Sequence, residues 1–432
     1  MASRVFWRRS ATAAWVYVAV VLGILGTVVA ARVLGLEAFG IYVTALAAVG
    51  FFQILLDLTV EEPLTKFGFR YAVNEEWGKL RRLFARALQL KVAGGALAAV
   101  ALVLLAPVAD TLFGAEDLAI PILVGSLLPL VQAPENVGST ALLLRGRYDL
   151  RGAYQAFAMA LRLGAILVAA PLGVTETLVG MVVAQAIATT AVSLLGLAAL
   201  RRFPPAAAQP LGDDRREVVS FVLQSSVGTG VISLRTTLVP FILGIVAGPT
   251  QVGLLRIGQT PQTGLAAASS PARLVLLTDQ TRAWERGKRE SVLAGVRTYT
   301  LVAAGLMVLA VPVLLLAMPW LVELVFGSEY IGAVDAARIV LVAAAVQFAL
   351  GWSKSLPVTV GQPRLRIVTH GLEALAVIPL VAVLGSEWGA TGAAVAILLG
   401  TLVFAGAWAV AIARLRIDVA AGATDASGAV AP

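Results

Sequence analysis

Cysteine is absent from the 432 residues and histidine occurs once, as His370. No disulfide, no thiolate nucleophile and no His/Cys cluster of metal-ligand spacing can therefore be built. Charge is scarce too, at 13% of residues against roughly 25% in soluble domains. No Gly-rich loop leads into Lys and Ser or Thr, so ATP is not the direct motor, and no nucleophile stands beside a base. These absences argue against an enzyme, a bound metal or a cofactor.

What the chain does contain is hydrocarbon. Hydrophobic residues make up 59% and the mean hydropathy is +0.89. Apolar runs repeatedly reach the roughly 20 residues that an α-helix needs to cross a bilayer, and the alternating signature of a barrel is missing. The expected fold is all-α and integral to the membrane. Twelve spans are expected near 10–34, 39–59, 87–108, 118–141, 153–173, 178–200, 217–247, 252–277, 292–317, 335–358, 367–384 and 390–413. The seventh is too long for a straight crossing, so tilt, an interfacial turn or a kink near Pro240 must absorb the excess.

Basic residues test that topology. With the first segment inside, every inner segment is basic, from Arg4, Arg8 and Arg9 through Arg145, Arg147 and Arg151 to Arg414 and Arg416. The six outer turns contain no Lys or Arg but hold Glu37, Asp110, Glu116, Asp117, Glu176, Glu323, Glu329 and Glu387. Retention of positive charge inside sets orientation, which implies a multi-pass protein of the plasma (inner) membrane with both termini cytoplasmic. The formal net charge of +8 then reflects loops beside anionic headgroups; membrane lipids are expected partners and nucleic acid is not.

The chain also repeats itself. Leu34-Gly35-Leu36-Glu37-Ala38-Phe39-Gly40-Ile41 recurs as Ala247-Gly248-Pro249-Thr250-Gln251-Val252-Gly253-Leu254, and Leu112-Phe113-Gly114-Ala115-Glu116 as Val325-Phe326-Gly327-Ser328-Glu329, both 213 positions on (34 against 247, 112 against 325). Gly146 answers Gly361, and Gly78-Lys79 answers Gly287-Lys288. Proline and charge between Arg201 and Arg216 forbid a spanning helix there. The reading is an N-terminal six-helix bundle over 1–200, a cytoplasmic linker over 201–216, a C-terminal six-helix bundle over 217–413 and a disordered cytoplasmic tail over 414–432. Even span counts give both bundles one orientation, related by a pseudo-two-fold along the membrane normal.

Several short motifs carry a resemblance. The opening Ala31-Arg32-Val33-Leu34-Gly35 with Glu37-Ala38-Phe39-Gly40-Ile41-Tyr42, the stretch Leu324-Val325-Phe326-Gly327-Ser328-Glu329-Tyr330, and Val360-Gly361-Gln362-Pro363-Arg364 look like the lipid-linked oligosaccharide flippases of O-antigen and capsule type. These belong to the multidrug/oligosaccharidyl-lipid/polysaccharide exporter superfamily. The resemblance implies alternating access around a cationic central cavity that moves an undecaprenyl-diphosphate-linked oligosaccharide between leaflets. Where members often carry an aspartate in the seventh helix, this chain has Ser233-Leu234-Arg235-Thr236-Thr237-Leu238, so ion coupling at that position loses its carboxylate.

Charges inside spans are the candidate site. A charged side chain at the bilayer centre costs at least about 2.5–3.5 kcal/mol, so it normally faces a bundle interior or an aqueous cavity. Arg162 and Arg235 lie deepest, and guanidinium suits diphosphate because its fork donates two parallel hydrogen bonds. Arg32, Arg256 and Arg273 are further substrate-binding candidates nearer span ends, where snorkelling to headgroups competes. Arg162 could alternatively pair with Glu135. Asp57, Glu62, Glu135 and Glu373 are the carboxylates that could couple transport to protons or sodium, although Asp57, Glu61 and Glu62 read equally as helix-end charges balanced by Lys66 and Arg70. The rival functions are a multidrug-type cation antiporter and a peptidoglycan lipid-precursor flippase of the same fold; the arginine-weighted interior favours an anionic cargo over the first.

Overall fold

The computed structural model describes residues 2–268, 280, 283–284, 286–362 and 364–428. Among them every regular element is a helix, as hydrocarbon requires when no water is present to satisfy backbone groups. The exposed residues include Leu104, Val168, Leu309 and Leu316, each more than two-thirds exposed. Such apolar surface is tolerable only against lipid.

The first spans are α1 (Ala2–Leu34), α2 (Leu36–Leu56) and α4 (Trp77–Phe113). Between the last two lies α3 (Glu61–Val73), which hydropathy does not reveal because it does not span. Its Leu64, Phe67 and Tyr71 follow Val60 at four-, three- and four-residue steps and are all buried, the mark of an amphipathic helix lying on a core. The fourth span is broken into α5 (Ala119–Gly125), α6 (Leu127–Gln132) and α7 (Glu135–Leu144), with Pro121, Pro129 and Pro134 at or near the breaks. Helices α8 (Tyr148–Ala169), α9 (Val174–Arg201), α10 (Asp214–Ala247), α11 (Pro249–Gly258) and α12 (Thr260–Ala268) follow. Then come α13 (Arg289–Phe326), α14 (Val334–Ala349) and α15 (Arg364–Gly428).

Nine helices among the described residues are long and apolar enough to cross a membrane, ten if the bent α10 is counted. One of the nine, α15, is two helices joined at Gly389, whose φ of 55° is open to glycine. A methyl group on Gly392 would strike the Leu384 carbonyl and one on Gly400 would strike Val377, so the two arms run antiparallel, as the expected eleventh and twelfth spans do. The eighth expected span corresponds to α11 and α12, and its continuation over 269–277 lies outside the described residues.

Helix α10 bends by 53° between Asp214–Ser233 and Arg235–Ala247, ahead of the kink expected at Pro240. The cause is local. The Thr236 hydroxyl donates to the Ser233 carbonyl at 2.8 Å, and Pro240 offers no N–H to the carbonyl four residues earlier, so the ladder is weakened on the N-terminal side of the proline.

The chain divides into two compact units after Gly253, not in the 201–216 linker. In the first unit, α10 packs on α2, α3 and α4: Val218 and Val222 enter the core with Leu64, Phe67 and Phe84, and Phe241 stacks on Phe51 with centroids 4.4 Å apart. In the second, Val292, Val296, Trp352, Phe404 and Trp408 form the core. The segment 414–428, read from sequence as a disordered tail, continues α15 as helix; its alanines are the best helix formers.

Backbone geometry supports the duplication and corrects its register. Gly35 and Gly248 share nearly one conformation, φ/ψ 76/170 and 82/168. At the starts of α4 and α13, Glu76 and Lys288 have φ/ψ −81/60 and −79/55. Their N–H groups bond the Tyr71 and Ala283 carbonyls, both at 2.9 Å. These pairs are 212 apart (76 against 288), so the Gly78-Lys79/Gly287-Lys288 match at 209 is a coincidence of composition: Gly78 lies in the first turn of α4, while Gly287 is a turn residue with φ 74°.

Helices α7 and α9 meet at Gly138 and Gly196, where a methyl group on Gly196 would sit 2.6 Å from the Gly138 Cα. Gly196→Val should destabilise the protein by about 1–3 kcal/mol through overpacking. The readout is a lower midpoint of thermal unfolding in detergent; an unchanged midpoint would mean that the two helices do not approach in this way.

Candidate functional site

A polar chain runs through the first unit between α7, α8 and α9. Glu135 opens α7 directly after Pro134, so the break in the fourth span sets where the carboxylate emerges. Its Oε2 accepts from Gln185 Nε2 at 2.7 Å, and Gln185 Oε1 accepts from the Arg162 guanidinium at 2.5 Å. Gln185 Nε2 also donates to Thr189 Oγ1 at 2.9 Å, and Gln185 is 1% exposed. The amide is thus oriented by opposite charges, nitrogen toward carboxylate and oxygen toward guanidinium. Arg162 does not pair with Glu135 directly; one side chain separates them, and a single Arg162 nitrogen, Nη2, makes the bond to Gln185. Buried Tyr154 lies two turns before Arg162 on α8, beside Glu135, with a hydroxyl that makes no hydrogen bond of adequate geometry.

Gln185 and Thr189 escape a search restricted to charged residues. The available signal is a glutamine and a threonine one turn apart in an otherwise apolar span, where an unpaired polar group is too costly to leave idle. The second unit holds a neutral counterpart. Positions 135 and 189 advanced by 212 give Gln347 and Thr401, which bond each other at 3.1 Å, while Gln262 donates to Gln347 at 3.0 Å.

The remaining candidates are dispersed. Arg235 is half-buried just beyond the α10 bend, two residues before Thr237; because Thr237 and Phe241 face α2, Arg235 falls on the far side of α10 from α2. Arg32 in the last turn of α1 and Arg256 in the last turn of α11 are exposed. Arg273 lies outside the described residues. Glu373 is 2% exposed in the second unit, with His370 Nδ1 at 3.1 Å.

Asp57 and Glu62 are both engaged. Asp57 closes α2 and meets the buried Lys91 ammonium at 2.5 Å, with Glu61 3.6 Å from the same nitrogen. Lys91, read from sequence as one of many inner basic residues, is therefore the partner that Asp57 and Glu61 need. Lys66 and Arg70 turn instead to Glu217 on α10, at 3.3 and 2.8 Å. Glu62 accepts from Ser225 at 2.9 Å, and the Thr59 N–H donates to Ser226 at 2.9 Å. Tyr71, whose hydroxyl burial pushes up to about 12, donates to Asp214 at 3.2 Å. Together these bonds fasten the first half of α10 to α3 and the segment before it. No group of three or more metal-ligating side chains occurs among the described residues.

Solved structures share this architecture. The Lipid II flippase MurJ in an inward closed conformation aligns with a TM-score of 0.69 at 11% identity, covering 94% of this chain and 87% of that one. A mutant of the Vibrio cholerae MATE transporter VcmN aligns at 0.66 and 15% identity, covering 96% and 97%. An inward-facing multidrug resistance MATE family transporter of the MOP superfamily aligns at 0.65 and 15%, covering 96% and 98%. At such identities the likeness defines the fold alone, an all-α membrane fold. Among curated proteins nothing matches. The family model described as polysaccharide biosynthesis protein matches residues 8–270, more than half of the chain. The chain belongs to that family.

The buried Asp57–Lys91 pair gives a direct test. Lys91→Met leaves a carboxylate in a site built for an ion pair and should cost about 3–5 kcal/mol, whereas Asp57→Asn with Lys91→Met should recover much of that loss. Detergent unfolding midpoints decide it; equal losses in the single and double variants would show that the pair is not coupled.

Proposed function

We propose that the protein flips an undecaprenyl-diphosphate-linked oligosaccharide from the inner to the outer leaflet of the plasma membrane by alternating access, with both termini cytoplasmic. The observation that carries this reading is membership of the polysaccharide biosynthesis family in a chain whose fold is that of membrane transporters. A glycan assembled on a lipid carrier must cross hydrocarbon with its diphosphate and sugars shielded while the polyprenyl tail stays in lipid. The site needed is polar, cationic and open to the side.

Arg162 and Arg235 are the proposed diphosphate contacts, with Arg32, Arg256 and Arg273 as further positions along the path. The geometry around Arg162 supports this. Its guanidinium is steadied by one neutral amide, which leaves other N–H donors for phosphate oxygens, and it escapes the neutralising contact that a direct ion pair would impose. Glu135, one amide away, is the carboxylate best placed to feel a change of charge at Arg162, so it is the proposed coupling group for a proton or sodium ion. Asp57, Glu62 and Glu373 remain secondary candidates.

Arg162→Ala or Arg235→Ala should lower surface glycan at normal expression and strand the lipid-linked oligosaccharide in the inner leaflet, a loss on the order of tenfold or more for a charge-assisted contact. Surface-glycan blots with extraction of the lipid-linked pool measure both quantities. Wild-type levels of each in the two variants would remove the proposed contacts, and accumulation of an organic cation on deletion would favour the antiporter reading.

A further inference from the structure

On the basic flank of the first unit, the segment after α9 turns back across the start of α4. Its Phe203 stacks on Trp77 with centroids 5.3 Å apart, and the Gln209 N–H donates to the Gly78 carbonyl at 3.0 Å. The strap fits closely, since a methyl group on Gly78 would lie 2.7–2.8 Å from Gln209 and the Ala207 carbonyl. Beneath it, between α4 and α9, is a groove of about 430 Å³.

The groove is built in two parts. Phe84, Leu88, Val137 and Leu197 make an apolar floor, and Leu88 and Leu197 are exposed. At its mouth stand Arg81 and Arg201. The Arg81 guanidinium is moored by a bond from Nη2 to the Pro204 carbonyl at 3.3 Å, but its Nε is buried with no partner. Neither arginine forms an ion pair among the described residues, and the nearby Glu76 is occupied by Lys79 at 3.0 Å. Arg145 adds a third guanidinium over the Phe203 ring, 4.9 Å from its centroid.

We propose that this groove binds an anionic phospholipid, with the phosphate on Arg81 and Arg201 and an acyl chain on the Phe84, Leu88 and Leu197 floor. Charge complementarity selects the headgroup: two arginines and no carboxylate line the groove, and a third arginine, Arg145, lies over the ring of the lining Phe203. The floor selects a lipid over a free phosphate, because a small anion would leave that apolar surface uncovered. Position agrees, since Trp77 at the head of a spanning helix is an interfacial anchor and basic pockets between membrane helices bind anionic lipid heads. This site is separate from the Arg162 chain and does not rest on the flipping reading.

The full-length protein, delipidated in detergent, can be titrated with phosphatidylglycerol or phosphatidylcholine carrying the same brominated acyl chain. The signal is the fluorescence difference between wild type and Trp77→Phe, which keeps the ring stack. Phosphatidylglycerol should quench the Trp77 component at a mole fraction roughly tenfold lower than phosphatidylcholine. Arg81→Gln with Arg201→Gln should erase that preference, while Arg364→Gln with Arg414→Gln, an equal loss of charge in α15, should keep it. Phosphatidylglycerol retained in native mass spectra provides a second readout that does not need Trp77. Equal quenching by the two lipids, a preference that survives the double variant, or displacement by undecaprenyl diphosphate but not by phosphatidylglycerol would overturn the proposal.

Discussion

A carboxylate and a guanidinium that must share a low-dielectric interior attract strongly, and left alone they close into a neutral pair. In the first unit Gln185 stands between them. Its amide satisfies Glu135 on one side and Arg162 on the other, so each charge is solvated by a dipole and neither is cancelled. The bridge is possible only because three local features coincide: Pro134 ends the preceding helical piece where Glu135 must start, Thr189 takes the second amide proton one turn away, and the Gly138/Gly196 contact brings α7 and α9 close enough for the reach. Lipid as solvent makes such satisfaction compulsory. What remains unsatisfied there, above all the Tyr154 hydroxyl, is correspondingly conspicuous.

The two units treat the same positions differently. The chain from Glu135 through Gln185 to Arg162 is charged, whereas Gln347 and Thr401, the counterparts of Glu135 and Thr189, form a neutral set with Gln262. Duplication preserved the backbone more faithfully than the chemistry. Gly35 and Gly248 keep one conformation, and Glu76 and Lys288 keep one turn despite opposite charge.

Much of this is legible in the sequence, for identifiable reasons. Apolar runs and basic loops report the solvent directly, so the membrane class, most spans and the repeat are readable from Arg4 to Arg416. Helix α3 is hidden because hydropathy averages over its polar face, although the buried steps from Val60 to Tyr71 are there to be counted. Sequence points to Pro240 for the bend in α10, whereas the bend falls between Ser233 and Arg235, next to the Ser233 carbonyl that the Thr236 hydroxyl engages. Lys91 reads as a loop charge because a charge near a span end looks the same whether wet or buried; only packing distinguishes them. The partners of Arg162 are beyond reach for a different reason, since Gln185 is brought to it by tertiary contact across helices.

Helix α10 belongs by repeat to the second copy, yet it packs into the first unit, held by Val218 and Val222 in the core and by Glu217 and Asp214 at its start. The covalent joint at 201–213 is therefore not the mechanical one. Tension arriving from the C-terminal part of the chain would be borne by the side chains that clasp α10, and the proline-rich tether would stay slack. Its residues are thereby released from any duty as a strut, which leaves Phe203 and its neighbours at liberty to serve as a roof over α4.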